Sequence, residues 1–268
     1  MLQKIIVWFI QFSPSTKRWF WKKWYTVFAN RAQNPDFKFM NYGFSEDGFF
    51  PELHTEDELE RYPIHLYHHV VSQINVTGKT ILEIGSGRGG GASYVSRYLK
   101  PSSVVGMDIS ESAVELCQSI HSVDTLSFSV GDSENIPFDD HSFDVVLNVE
   151  SSHCYGNVDQ FLSEVNRVLK PGGHFLWCDL RPSDGQDDVF NQFEKAGFSL
   201  LQKCDITSNI LSALSQMTES RKKAIRETVP RFIQNVFESY AGVEGSKVYD
   251  SFQDGSLVYL SAALSKKK

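Results

Sequence analysis

The chain has 268 residues, of which 41% are hydrophobic and 22% are charged, and its formal net charge is −7. These fractions are typical of a globular protein and exclude a largely disordered chain, and the length suits one domain with an extension. The acidic balance argues against a nucleic-acid-binding protein, which needs a basic face for phosphates. The four cysteines are far apart, without a C-x-x-C pair, which favours a reducing, cytoplasmic location over a disulfide framework.

The first 60 residues differ in charge from the rest of the chain. Positions 1–40 contain seven Lys or Arg and one acid, whereas positions 41–60 contain seven acids and no Lys or Arg. Beyond Pro14, large apolar residues recur with helical spacing: Phe20, Trp24, Val27 and Phe28. We interpret residues 1–60 as an aromatic, basic extension with an acidic connector. Its helix is either a lid on the main domain or a peripheral membrane contact through residues 1–32.

Residues 61–268 alternate between strand and helix patterns after a helical stretch at 64–74. The predicted strands cover residues 80–84, 104–107, 126–130, 143–149, 175–178, 199–203 and 256–264. A helix that ends at Leu99 and helical patterns at 111–120, 158–169 and 188–195 separate them, and a helical insertion at about 207–240 precedes the last strand. No apolar run approaches the ~20 residues that span a bilayer. The alternation predicts an α/β fold, a Rossmann-like doubly wound and mostly parallel sheet.

A glycine-rich loop follows the first predicted strand and reads Glu83-Ile84-Gly85-Ser86-Gly87-Arg88-Gly89-Gly90-Gly91. Glycines at this position allow a tight turn and the close approach of a ligand to the backbone. No Lys-Ser/Thr pair follows, which excludes a phosphate-binding P-loop. The loop alone fits both a nicotinamide dinucleotide and S-adenosylmethionine.

Three later features separate these two cofactors. Asp108 ends the second strand, where either cofactor would use it to bind ribose hydroxyls, and Asp132 follows the third strand, where a carboxylate can accept an adenine amino proton. Leu169-Lys170-Pro171-Gly172-Gly173 precedes the fifth strand. This ordered set resembles the class I S-adenosylmethionine-dependent methyltransferases. A nicotinamide oxidoreductase is disfavoured, because the last two features would then be unexplained.

The resemblance implies S-adenosyl-L-methionine as cofactor and a set of residues that bind it. These residues are Glu83, Gly85, Ser86, Gly87, Asp108, Ile109, Asp132, Ser133 and Asn148. No metal is expected. Three histidines share a helix face without an acidic or cysteine partner at helical spacing, and we interpret them as a polar rim: His65, His68 and His69.

A narrower resemblance covers about residues 39–182. The blocks His65-Leu66-Tyr67-His68, 89–101, 137–155, 161–173 and Asp179-Leu180-Arg181-Pro182 are similar to mycobacterial phthiotriol/phenolphthiotriol dimycocerosate methyltransferases. That family O-methylates a hydroxyl on a very long lipid, which implies a lipophilic small-molecule acceptor here. Within the glycine loop, Gly85 and Arg88 follow the general methyltransferase pattern instead.

The fourth strand ends in Asn148-Val149-Glu150-Ser151-Ser152-His153-Cys154-Tyr155, at the edge of the sheet where acceptors bind in this fold. A histidine with a near-neutral pKa can take up a hydroxyl proton, so we expect His153 to be the general base. Glu150 would orient His153 or close the site. Tyr155 is expected to contact substrate, and Tyr42 either contacts substrate or packs. The strand end lacks the Asn/Asp-Pro-Pro-aromatic motif of nucleic-acid N-methyltransferases.

Other functions remain open on the sequence alone. Carboxyl O-methylation of a fatty acid and C-methylation of a sterol or prenylquinone are the nearest enzymatic alternatives. An alternative of another class is an inactive cofactor-binding adaptor that docks on a membrane or a partner. The sequence makes no prediction of the oligomeric state.

Overall fold

The computed structural model describes residues 38–49, 51–228, 234, 238 and 241–267. The predicted N-terminal helix, with its possible membrane contact through residues 1–32, lies outside these ranges, as does most of the insertion beyond residue 228. Among the residues in these ranges, no helix combines the length and the apolar character that crossing a membrane requires.

Seven strands of the described chain form one sheet in the order β3-β2-β1-β4-β5-β7-β6. The strands are β1 (Thr80–Ile84), β2 (Ser103–Asp108), β3 (Leu126–Val130), β4 (Phe143–Val149), β5 (Leu169–Pro182), β6 (Phe198–Asp205) and β7 (Leu257–Lys266). Strands β1 to β5 pair in parallel, whereas β7 is antiparallel to β5 and β6. The predicted mostly parallel, Rossmann-like sheet is confirmed.

Helices cover both faces of this sheet. They are α1 (Arg61–Val71), α2 (Gly90–Tyr98), α3 (Glu111–Ile120), α4 (Val158–Val168), α5 (Gln186–Lys195), α6 (Thr207–Thr228) and α7 (Lys247–Gln253), and a 3₁₀ helix at Thr55–Glu60 precedes α1. One core joins the sheet to α1, α2, α6 and α7, and a second joins the opposite face to α4 and α5. Burial on both faces explains why β1 and β4 have apolar residues in succession, Ile81-Leu82 and Val145-Val146-Leu147, where a strand with one exposed face would alternate.

Helix α4 shows how the sequence sets one of these layers. Its apolar positions Phe161, Val165 and Val168 are buried on one face, as a helical repeat of three to four residues requires. The Asn157 side chain caps its start by accepting a hydrogen bond from the backbone N–H of Gln160 at 3.1 Å. The helix therefore begins at a defined residue and packs its apolar face against β5.

The Pro171-Gly172-Gly173 segment corrects one predicted boundary. We expected it to separate a helix from a strand at residue 175, but β5 runs through it from Leu169. Leu169 pairs with Phe143, and the register then shifts before the next pair. Gly172 has φ +73°, a value that glycine adopts without strain. The segment is a bulge inside a long strand.

The residues Lys38–Phe44, here called the strap, are the described part of the predicted extension nearest the sheet. Phe39, Tyr42 and Phe44 are buried and belong to the core that contains α1 and α6. The Phe44 ring stacks on His69 with 4.5 Å between ring centroids. The strap therefore packs as part of the core of the main domain.

The three histidines of α1 do not form the expected polar rim. His65 is buried at 2% exposure, and the rings of His68 and His69 bind different partners, the hydroxyls of Tyr94 and Ser261. Their side chains thus fill the space between α1 and the neighbouring elements. Because burial disfavours the charged ring, it lowers the pKa of His65 and of His69 to about 4.

The His65 and His69 rings predict a contribution to stability that acid removes. An imidazole that is neutral in the folded chain takes up a proton on unfolding once the pH is below its ordinary pKa of 6.5. The contribution of these two side chains to the free energy of unfolding should therefore fall as the pH is lowered from 6.5 to about 4, with uptake of up to about two protons on unfolding. Urea titrations of the wild type and of a variant without the two rings, at stepped pH, measure this contribution as a difference.

In the double variant His65→Gln/His69→Gln this contribution is absent, so the free energy of unfolding of the variant should rise relative to that of the wild type as the pH falls across that window. His54→Gln serves as the control, because the His54 side chain is 63% exposed. Parallel stability curves for the wild type and the double variant would contradict the assignment.

Candidate active site

The glycine loop joins β1 to α2 in a conformation that requires glycine. Gly85 has φ +77°, and a Cβ there would lie 2.5 Å from the Ser151 Oγ atom. Gly87 has φ +54°, and a Cβ there would lie 2.7 Å from the Met40 methyl group. The backbone N–H groups of Gly85 and Ser86 both donate to the Met107 carbonyl of β2. The loop is thus fixed at the carboxyl end of the sheet, where a ligand can approach its backbone.

Buried polar atoms without partners surround this loop. Ser86 Oγ, Glu83 Oε2 and Asn148 Oδ1 have no hydrogen-bond partner within the described part of the chain. The Asn148 amide nitrogen donates to Ile84 O at 3.0 Å and to the Tyr155 hydroxyl at 2.9 Å, which fixes the orientation of its oxygen. A buried polar atom without a partner costs about 1–3 kcal/mol. These residues therefore fit a polar cofactor that satisfies them.

Asp108 ends β2 beside the loop and is held by backbone donors. Its Oδ2 atom accepts from Gly87 N and its Oδ1 atom from Ser110 N, both at 2.9 Å. Burial raises the pKa of this carboxyl, and the backbone donors act against that rise. Each oxygen keeps further acceptor capacity. The fixed carboxylate can therefore bind two neighbouring hydroxyls.

Asp132 lies at the end of β3, in the position that the sequence predicted. Its Oδ1 atom accepts from Glu134 N at 3.0 Å, and its carbonyl accepts from Asn135 N. Ser133 follows it in this turn, as Ile109 follows Asp108 in the preceding one. The carboxyl ends of β1, β2, β3 and β4 thus meet at one edge of the sheet and bring the predicted cofactor residues together.

Three elements hold the strap against the glycine loop. Lys38 N donates to Glu60 Oε1 at 3.2 Å, at the end of the 3₁₀ helix. Arg221 of α6 donates to Asn41 O at 2.6 Å. The Lys38 carbonyl would lie 2.6 Å from a Cβ at Gly90. The strap therefore connects the glycine loop to the insertion helix.

Glu150 provides the third attachment of the strap. Its carboxylate accepts from Tyr42 N and from the Tyr259 hydroxyl, both at 2.8 Å. Its φ of +49° is uncommon for a residue with a side chain. Burial raises the pKa of Glu150, as of Glu60, to about 7. Glu150 therefore holds the strap, and the carboxylate that contacts the His153 ring is a different one.

That carboxylate is Asp179, which lies in β5 beside the end of β4. Its Oδ1 atom is 2.7 Å from His153 Nδ1, and its Oδ2 atom accepts from His153 N at 2.8 Å and from Ser152 Oγ at 2.6 Å. The Asp179 side chain is fully buried, while the His153 side chain keeps 29% of its exposure. The ring is therefore fixed from one side and accessible from another.

The two groups change each other's ionisation. Burial alone would raise the pKa of Asp179, but His153 and Arg181 hold it well below its usual value. Burial alone would lower the pKa of His153, but the adjoining Cys154 and Asp179 raise it well above 6.5. The pair, here called the dyad, is thus an ionised carboxylate beside an imidazole that binds a proton more tightly than a free ring does.

Tyr155 and Tyr42 lie on different sides of the site. The Tyr155 hydroxyl is 2.9 Å from Ser151 Oγ and would lie 3.0 Å from a Cβ at Gly85, which places it on the glycine loop. This position favours a contact with a ligand of the glycine loop over the expected contact with substrate. The buried Tyr42 ring meets Phe252 edge-on with 5.9 Å between centroids. It therefore packs between α7 and the end of β4.

Sequence reasoning assigned no role to Asp179 or to Arg181. A signal was present, because Asp179 follows an apolar strand at the same edge as Asp108. Trp177, Asp179 and Arg181 are also spaced two apart, so they share one face of β5. The contact with His153 depends on the path of the loop after β4, which the sequence pattern does not give.

Comparisons with known proteins agree with this geometry. Residues 82–177 match the family model described as a methyltransferase domain. The phthiotriol/phenolphthiotriol dimycocerosates methyltransferase of Mycobacterium leprae is 36% identical over 92% of this chain and 92% of its own length. The fatty-acid O-methyltransferase of Mycolicibacterium smegmatis is 34% identical over 88% of this chain and 85% of its own.

Solved structures share the fold at lower identity. The [4+2]-cyclase SpnF superposes with a TM-score of 0.67 at 18% identity and covers 90% of this chain and 91% of its own. The geranyl diphosphate C-methyltransferase from Streptomyces coelicolor has a TM-score of 0.64 at 18% identity and covers 91% of this chain and 97% of its own.

Fold, glycine loop and relatives together define a class I S-adenosylmethionine-dependent methyltransferase. Within that class, the chain belongs to the phthiotriol/phenolphthiotriol dimycocerosates methyltransferase family.

The position of Asp108 predicts a loss of cofactor binding on substitution. In Asp108→Asn, an NH₂ group that cannot accept a hydrogen bond replaces one of the two carboxylate oxygens. This group must face either a ligand hydroxyl or one of the two backbone N–H groups from which Asp108 accepts. We expect affinity for S-adenosylmethionine to fall by roughly 10–100-fold, as for a lost hydrogen bond to a charged group. Calorimetric titration measures it. Asp124→Asn, at an exposed position, should bind as the wild type does. Equal affinity of both variants would refute the role of Asp108.

Proposed function

We propose that this enzyme methylates a hydroxyl of a lipophilic small molecule, with His153 as the general base and Asp179 as its orienting partner. The observation that carries the proposal is the 2.7 Å contact between His153 Nδ1 and the fully buried Asp179 carboxylate. S-adenosylmethionine, when bound, supplies a methyl group on a sulfonium whose thioether leaves readily.

Residues at the carboxyl edge of the sheet would hold the cofactor. Asp108 would bind the ribose hydroxyls and Asp132 the adenine amino group, next to Ile109 and Ser133. The orphan oxygens of Ser86, Glu83 and Asn148 would bind the polar amino-acid part near Gly85 and Gly87. The Tyr155 hydroxyl would contact this part too, because it lies against Gly85. These contacts position the reactive group, which is most of what methyl transfer needs.

His153 would remove the acceptor proton. Its Nδ1 atom is engaged by Asp179, which leaves Nε2 as the nitrogen that can accept a proton. Bound S-adenosylmethionine would supply its methyl group to the acceptor oxygen and leave as a neutral thioether, and Nε2 would take up the hydroxyl proton. The imidazole ring would then carry the positive charge. The Asp179 carboxylate stabilises this imidazolium.

The surroundings of the dyad fit an apolar acceptor. The Tyr42 and Phe252 rings, Leu214 of α6 and the buried Cys154 lie around the end of β4. Glu150 and Arg221 hold the strap over this space, and a closed strap would exclude water. The names of two relatives, a dimycocerosate methyltransferase and a fatty-acid methyltransferase, support a lipid acceptor.

A second candidate is carboxyl methylation of a fatty acid, which the relative from Mycolicibacterium smegmatis favours. A carboxylate has no proton to lose at neutral pH. That reaction would leave the His153–Asp179 pair without a task in proton removal, so we rank it second. The two candidates differ in how turnover depends on His153.

Substitution of His153 tests the base directly. His153→Ala should lower kcat by roughly 10²-fold or more, the usual range for a lost general base, and leave affinity for S-adenosylmethionine unchanged. Turnover is measured with labelled cofactor and a lipid extract as acceptor. His174→Ala, near the opposite end of β5, is the matched control.

The same assay over pH gives a second readout. The pKa of His153 is raised well above 6.5. We therefore expect kcat/KM to increase as the pH rises through this raised pKa, because the ring then loses its proton. Asp179→Asn should move the midpoint to lower pH. Turnover that is insensitive to His153→Ala and to pH would contradict a base and favour carboxyl methylation. The absence of any turnover in the wild type would favour an inactive adaptor.

A further inference from the structure

Arg181 contacts the oxygen of Asp179 that does not contact the His153 ring. Its Nη1 atom lies 3.1 Å from Asp179 Oδ2, and its Nη2 atom donates to Ser152 Oγ at 2.7 Å. The guanidinium lies 5.1 Å from the Trp177 ring centroid, and the Trp177 indole N–H also donates to Ser152 Oγ, at 2.9 Å. Arg181 therefore helps to hold Asp179 and Ser152 in place beside His153.

We propose that Arg181 is a positioning residue that balances the charge of Asp179 and thereby sets the pH at which His153 becomes able to accept a proton. The inference rests on the proposed function, because it concerns the same histidine. With Arg181 in place, the carboxylate and the guanidinium together are neutral while the ring is neutral. Without Arg181, the buried carboxylate would act on the ring alone and favour the imidazolium.

The charge of Arg181 affects whether the His153 ring is free to accept a proton. An imidazolium in the resting enzyme could not accept the acceptor proton, and it would lie near a positively charged sulfonium. A cation on the far side of Asp179 reduces the attraction of the carboxylate for a ring proton, while the hydrogen bond to Nδ1 is kept. Arginine suits the position because its planar fork reaches two oxygens at once, which lysine does not do.

Other ionisable groups also surround the dyad. Of these, Cys154 hydrogen-bonds to the His153 side chain, and the others make different contacts. Within the described chain they come from the loop after β4, the strap, β5, α6 and β7: Glu150, Cys154, Tyr42, Cys178, Arg221 and Tyr259. Glu150 is engaged by the strap and by Tyr259, and Arg221 by the carbonyls of Asn41 and Ala241. Among the described residues, Arg181 is the Lys or Arg that pairs with Asp179.

The test measures the ionisation of His153 itself. Protein with ¹⁵N-labelled histidine is titrated by NMR in the presence of S-adenosylhomocysteine, and His153→Gln assigns the signal. Arg181→Gln should raise the midpoint of His153 by about one pH unit, a tenfold change in the acid dissociation constant. Arg181→Leu should give the same shift and retains apolar packing on Trp177, so it replaces Arg181→Gln if that variant does not fold.

Arg181→Lys is the control for charge. It should keep the midpoint within about 0.3 of the wild type but lower kcat without a matching change in KM, because lysine cannot hold both Asp179 and Ser152. An unchanged midpoint in both neutral variants would overturn the proposal, as would the same shift in Arg181→Lys. If His153→Ala keeps its turnover while the neutral variants shift the midpoint, the general base is refuted and the role of Arg181 is upheld.

Discussion

The parallel pairing of β2, β1, β4 and β5 is the constraint on which the rest of the structure depends. Parallel strands end at the same edge, so residues that are far apart in the chain come together there. Val149 pairs with Cys178 at the ends of β4 and β5. This register puts the next residues of both strands side by side, and Asp179 then reaches the loop that carries His153. A shift of one residue would turn Asp179 to the other face of the sheet.

The strap links the glycine loop to the end of β4 and to α6. It lies on the glycine loop through Lys38 and Met40, and Glu150 and Arg221 attach it to β4 and α6. A movement of the glycine loop would therefore displace the strap and, through it, the residues at the end of β4. Glu150 keeps an uncommon backbone conformation at this junction. Its contacts to Tyr42 and Tyr259 give a physical reason for that strain, because they need the carboxylate to point inward.

Much of the fold could be predicted from the sequence, because apolar runs and glycine turns act locally. The bounds of β1, β3 and β4 agree with the predicted ranges residue for residue. The bulge in β5 was missed, because proline and glycine normally end an element and only the pairing with Phe143 shows that the strand continues. The burial of His65 was missed as well, because the strap and Phe49 that cover it are distant in sequence.

The candidate site was predictable to a lesser degree. Positions at the carboxyl ends of strands, such as Asp108 and Asn148, can be found from a pattern. Partners across strands cannot, so Glu150 was paired with its neighbour His153, while the structure pairs it with Tyr42 and Tyr259. The role of Arg181 likewise depends on which oxygen of Asp179 it contacts.

The acceptor atom that we propose is a hydroxyl oxygen of a lipid. The most direct measurement uses cofactor with a deuterated methyl group and two matched long-chain acceptors, an alcohol and the corresponding fatty acid. Mass spectrometry of the products identifies the bond that forms. We expect a deuterated methyl ether from the alcohol, formed faster as the pH rises. A methyl ester from the acid with no ether from the alcohol, or a methyl group on carbon, would contradict it.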